Sequence, residues 1–148
     1  MPRLADLLWA APNRAPLISD FATLVESHVA ARRGLKGMAL KASFATLKSL
    51  KPGAVPRALE VLLPKFAEAL DPLYQESRTR KAEFSRFLQS HADRAAAALL
   101  SVTDARVAQS HNAALKSIYA RLRNGAENEV LAVLPALADL LQRRIGKP

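Results

Sequence analysis

No cysteine occurs anywhere in the 148-residue chain, which excludes disulfides, thiol catalysis and thiolate metal ligation together. Aromatic residues make up only 5% of it, so a core must be assembled mainly from Leu, Ala and Val. Glycine occurs five times and never in a phosphate-cradling loop; no serine sits in a Gly-x-Ser-x-Gly elbow either. No window reaches about 18 uninterrupted apolar residues, so no segment reads as a membrane span. The N-terminal MPRLADLLWAAPNRAP has a short apolar run broken by Asp6, with no cleavage site after it, and the expected compartment is cytoplasmic. Acid is the local absence that matters most. Between Ser27 and Leu59 there is no Asp or Glu at all.

That acid-free stretch carries Arg32, Arg33, Lys36, Lys41, Lys48, Lys51 and Arg57. The chain has 22 cations, 13 anions and a formal charge of +9, so these seven account for most of the excess. A basic segment of this kind meets the electrostatic criterion for nucleic acid. The aromatic residues, however, fall in apolar stripes rather than among the cations, and the two long helices around a Gly-x-x-Gly turn are not a helix-turn-helix. An anionic membrane surface is a further candidate, but the cations are dispersed around the helix rather than gathered on one polar face. A basic rim that meets an acidic protein, or a second copy of the chain, accounts for the pattern best.

The length fits one domain spanning residues 1–148, large enough to bury roughly 68–70% of its unfolded surface. Half of the residues are hydrophobic, and they recur at helical spacing. Leu4, Leu7, Leu8 and Ala11 give a short helix that Pro12 and Pro16 should close, with Trp9 anchoring it to a core. Leu17, Phe21, Leu24, His28, Ala31 and Leu35 give a second helix ending near Gly34. From Met38 to Leu50 two apolar strips run on nearly opposite sides. One is the narrow ridge Met38, Ala42, Ala45, Ser49; the other is Leu40, Phe44, Leu47. A helix apolar on two sides is expected to be a central element packed on both, until Lys51-Pro52-Gly53 stops it. Leu59, Leu62, Leu63, Phe66 and Leu70 continue the pattern, with Pro64 marking a kink or boundary and Asp71-Pro72 a new start. Neither Gly nor Pro occurs from Leu73 to Asn124. A break is expected at Ser101 to Asp104 and another at Asn124-Gly125. The expectation is an all-α compact bundle of six or seven mostly antiparallel helices.

Leu63-Pro64-Lys65-Phe66-Ala67-Glu68-Ala69-Leu70 echoes Leu134-Pro135-Ala136-Leu137-Ala138-Asp139-Leu140-Leu141, which raises the prospect of a duplicated helical hairpin; Ala/Leu-rich composition also produces such matches readily. The stretch GLKGMALKASFATLKSLKPG, followed by ALEVLLPKFAEALDPLYQ, resembles an uncharacterised family of small all-helical bacterial proteins over Gly34 to Gln75. The resemblance implies a bacterial all-α domain and brings no function or site residues with it.

The remaining candidate chemistry is histidine. His28, His91 and His111 each follow a serine preceded by Glu or Gln, and each lies in the apolar stripe of a helix. Were three helices to converge, they would offer three imidazoles to a metal or small ligand. No His-x-x-x-His or Glu-x-x-His pair supports this, so three separate, backbone-bonded histidines are the expected outcome. No cofactor is implied, and no acidic residue lies inside an apolar stripe where burial could tune it for catalysis. The sequence therefore points to a non-enzymatic helical interaction or scaffold module. Weak non-specific nucleic-acid binding is the alternative and a histidine-lined site the second alternative.

Overall fold

The apolar positions organise the chain into helices throughout the computed structural model, which describes residues 2–50 and 53–146. Seven helices succeed one another among the described residues: α1 (Leu4–Leu8), α2 (Ala11–Ala31), α3 (Gly34–Leu50), α4 (Ala54–Thr79), α5 (Phe84–Ser90), α6 (Ala92–Ala108) and α7 (Ala113–Ile145). No strand interrupts them among those residues. The result is an all-α bundle.

α4 is the longest element of the first half, and it ignores its own punctuation. Pro64 and Pro72 both lie inside it, where a proline costs about 3 kcal/mol through a lost hydrogen bond and a ring clash. Against this stand Leu59, Leu63, Phe66, Leu70, Leu73 and Tyr74, all buried on one stripe, at about 1.5–3 kcal/mol for each large side chain. Burial wins, and the expected boundaries at Leu63 and Asp71 do not form. Asp71 caps a different helix. Its Oδ1 accepts the Leu4 N–H at 2.8 Å, while Gln75 Nε2 donates to the Pro2 carbonyl at 3.0 Å. These two bonds stitch the N-terminus to α4 and seat Leu4 and Leu8 in the core.

Several expected breaks are displaced for similar reasons. Pro12 opens α2 rather than closing α1, at the position where a missing N–H is harmless, and Pro16 lies inside α2. α4 stops at a turn in which Lys81 takes φ 55°. The Ala82 N–H reaches the Ser77 carbonyl at 2.8 Å and the Lys81 N–H reaches that of Arg78 at 3.0 Å. This is a Schellman termination built on lysine instead of glycine, and therefore silent in the sequence. The Ser101–Asp104 break is absent: Ser101 and Thr103 turn their hydroxyls back onto the carbonyls of Ala98 and Leu100 at 2.8 and 3.0 Å, so α6 runs through. α7 likewise runs through Gly125 and Pro135 for 33 residues. The second half of the echo is thus one helix, and the hairpin is not duplicated. What the echo does mark is burial: Leu63, Phe66, Ala67 and Leu70 match Leu134, Leu137, Ala138 and Leu141, and all eight are buried.

One core cluster joins side chains from α1, α2, α4, α5, α6 and α7. Trp9 packs against it from the α1–α2 corner. α3 contributes no described side chain to that cluster. It lies outside, touching α2, α7 and α4. The expected central helix is peripheral, and the ridge Met38, Ala42, Ala45, Ser49 faces away from the bundle, exposed along its length. The half-buried inner side carries Leu40, Ser43 and Phe44; the Leu47 side chain lies outside the described residues.

Leu88 is fully buried and Leu35 is 86% exposed. Leu88→Ala is expected to cost about 2–5 kcal/mol of unfolding free energy in urea denaturation, and Leu35→Ala to change it by less than about 0.5 kcal/mol.

Candidate interaction surface

α3 is joined to α2 by a tight corner. Arg32 leaves the helical conformation with φ −70° and ψ 139°, and Gly34 follows at φ +79°, in the left-handed region glycine occupies without strain. Gly37 is buried against this corner. A Cβ there would come within 2.7 Å of the Arg32 carbonyl carbon, so only glycine lets the first turn of α3 fold back so closely. The corner is bolted to α7. Glu129 accepts from His28 Nε2 at 2.9 Å through one oxygen and from Arg32 at 2.8 Å through the other. At the far end of α3, Lys48 Nζ lies 2.7 Å from Glu26 of α2 and 5.2 Å from the centre of the Phe44 ring. Two anchors, one at each end, hold the helix down.

These anchors sort the seven candidate cations. Arg32 and Lys48 are engaged inside the molecule. Lys51 lies outside the described residues. Arg33, Lys36, Lys41 and Arg57 are all exposed, and no carboxylate of the described residues forms an ion pair with any of them. On α3 with Lys36 and Lys41 are Leu35 and Met38, respectively 86% and 67% exposed. The helix thus carries exposed large apolar side chains and unpaired positive charge together.

The histidines do not converge. His28 belongs to the Glu129 bolt. His91 sits at the α5–α6 corner, where its Nδ1–H donates to the Phe87 carbonyl at 2.9 Å and its ring stacks on Phe87 with centroids 4.2 Å apart. His111 is exposed in the α6–α7 connection. Among the described residues no group of three or more His, Asp or Glu side chains is placed to hold a metal ion. His28, His91 and His111 therefore stay apart, one paired with Glu129, one bonded to the Phe87 carbonyl and one exposed in a connection.

Other polar groups serve the framework. A cavity of about 120 Å³ opens beside Leu7, Tyr74, Ser77, Arg78, Phe84 and Gln142, small against the roughly 300–1,000 Å³ of typical ligand sites. Its polar groups already serve one another: Ser77 donates to the Tyr74 carbonyl at 2.7 Å, and Arg78 to the Tyr74 hydroxyl at 3.2 Å. Ser85 Oγ donates to Asp139 at 2.8 Å, with no imidazole to activate it, while the Ser85 N–H is accepted by Gln142 at 3.1 Å. Glu76 of α4 receives Arg94 of α6 at 2.6 Å.

Among the described residues no helix is long and apolar enough to cross a membrane. Comparison with protein families extends the similarity beyond Gly34 to Gln75: a family model matches residues 4–145. The chain belongs to DUF6918, a family of unknown function. The DUF6918 match spans all seven helices, α3 included. No curated protein and no solved structure matches the chain.

One polar cluster missed in sequence lies on the opposite side of the chain's order. Asp104 of α6 accepts from Arg123 of α7 at 2.9 and 3.2 Å, and also from the Tyr119 hydroxyl. The Arg123 hydrogen bond, then that of Tyr119, holds the Asp104 carboxyl below its ordinary value. Burial, then the bond to Asp104, raises the Tyr119 phenol. A depressed carboxylate stabilises the fold above the ordinary Asp range near pH 4, and that contribution is lost as pH falls through its lower folded value. Asp104→Asn is therefore expected to lower the melting temperature at pH 7, with the gap to wild type closing below about pH 4. Paired thermal melts across that range check it.

Proposed function

We propose that this protein is a non-enzymatic helical interaction module whose basic face, on α3 and the first turn of α4, binds an acidic protein partner. The observation that carries the reading is the set Arg33, Lys36, Lys41 and Arg57, exposed and without an internal carboxylate among the described residues. Elsewhere Arg94, Arg123 and Arg144 are each matched by an acid on another helix, whereas the exposed, unpaired Arg86, Arg106, Arg121 and Arg143 are spread over α5, α6 and α7. Positive charge left unmatched on a helix outside the core does nothing for the fold; like charges in proximity repel, and an acidic surface removes that repulsion. Arg32 and Lys48 are consumed internally, which leaves fewer phosphate-neutralising groups than a duplex-binding face uses and weakens the nucleic-acid reading. Pairing this face with a second copy would set cations against cations.

The test compares two variants with equal net charge. One reverses Arg33, Lys36, Lys41 and Arg57 to Glu; the other reverses the exposed Arg86, Arg106, Arg121 and Arg143. Titration of each against poly-L-glutamate and against duplex DNA is followed by NMR shift changes at about 50 and 150 mM salt. Wild type and the second variant are expected to bind poly-L-glutamate, and the first to lose at least tenfold. Equal loss in both variants, or duplex DNA bound more tightly than poly-L-glutamate, would overturn the proposal.

A further inference from the structure

We infer that the acidic partner presents an amphipathic α-helix, which lies along the outer ridge of α3 as the second strand of a short intermolecular coiled coil. The inference rests on the proposed basic face and names what would dock on it. Leu35, Met38, Ala42, Ala45 and Ser49 recur at intervals of three and four, the a/d spacing of a heptad seam. All five are exposed, so this seam points away from the chain's own bundle. In the same register Lys41 and Lys48 both take the g position, which flanks the seam and selects the charge of the facing helix. Lys41 has no carboxylate partner among the described residues, and Lys48 is shared with Glu26.

The three properties of the face agree on one occupant. Leu35 and Met38 supply bulky apolar knobs at the N-terminal end. Ala42 and Ala45 let a second backbone approach near the lower end of the 8–10 Å interaxial range. A lipid surface favours a broad band of large apolar side chains instead, and the C-terminal half of this ridge offers alanine and serine. Lys41, at g beside the seam, demands acid at the facing position of the partner, while Lys36 takes b, away from the seam. A second copy aligned on the ridge brings lysines toward lysines or toward Ala39 and Thr46, never toward an acid, because α3 contains none. The anchors at Glu129 and Glu26 prepare the helix for this use by holding it rigid while its outer face stays open.

The probe is a synthetic helical peptide of about three heptads with Leu at a and d and Glu at e and g. Its controls are a scrambled peptide of identical composition and a heptad peptide with Lys in place of Glu. Binding is measured by fluorescence anisotropy to the intact protein and to Leu35→Glu/Met38→Glu, whose circular dichroism and melting temperature should stay at wild-type values because both sites are exposed. The heptad Glu peptide is expected to bind at micromolar concentration, the scrambled peptide at least tenfold more weakly, and the Lys peptide not at all. The double variant should lose at least tenfold. Equal binding of heptad and scrambled peptides would overturn the helical docking and leave the basic-face proposal standing. Failure of both, and of poly-L-glutamate, would remove the two together. A dimer in sedimentation that Met38→Glu abolishes would overturn the inference in favour of a second copy. Tighter binding to phosphatidylglycerol vesicles, lost in the double variant, would overturn it in favour of a lipid surface.

Discussion

The fold depends on the uninterrupted apolar stripe of α4. Leu59, Leu63, Phe66, Leu70, Leu73 and Tyr74 are all buried, and α1, α2, α5 and α6 are arranged around them. Keeping this stripe in register outweighs two internal prolines, and it converts Asp71 from a helix start into a cap for α1. Tyr74 also meets Phe84 edge to face at 5.3 Å, which carries the packing across the glycine-free turn into α5. A shift of α4 by one residue would rotate every one of these side chains by about 100° and empty the core.

Because no described side chain of α3 enters that core, its outward face is available for something else. The helix is held by ion pairs, a corner glycine and the half-buried Leu40 and Phe44. Such attachment is cheap in hydrophobic terms and leaves a full face of the helix in water. The cations of the chain divide accordingly. On the bundle, Arg94, Arg123 and Arg144 find acids on neighbouring helices, and at the ends of α3 Arg32 and Lys48 find Glu129 and Glu26. Arg33, Lys36, Lys41 and Arg57 stay exposed without an ion pair among the described residues, as do Arg86, Arg106, Arg121 and Arg143 on the bundle. The charge concentration between Arg32 and Arg57 thus becomes, in three dimensions, four exposed cations on and beside α3, with Leu35 and Met38 exposed on the same helix.

How much of this was legible depended on the range of the interaction responsible. Stripes were readable: Leu59, Leu63, Phe66 and Leu70 were grouped by spacing, and all are buried. The break near Gly34 was readable too, but those beyond α3 were not. Proline and Asn-Gly suggested stops at Leu63, Asp71 and Asn124, whereas the real corners fall at Lys81, His91 and Gln109 to Asn112. Lys81 adopts a glycine-like conformation because α4 must end where α5 can pack, a demand set by the neighbours and not by local propensity. The site was half legible. The seven cations and the ridge Met38, Ala42, Ala45, Ser49 could be counted, but Glu129 lies 97 residues from Arg32, and nothing local connects them.

The sequence by itself determined an all-helical chain, a Leu/Ala core, the absence of thiol chemistry and the concentration of positive charge between Arg32 and Arg57. All of these follow from composition and from periodicity within a few turns. Only the tertiary structure decided which apolar strip of α3 meets the bundle, which cations are spent on internal acids, and that the three histidines stay apart. A helix with two apolar sides carries no local record of which one is covered. That choice is made by the shape and charge of helices distant in sequence, and here it turned a presumed core ridge into an open surface.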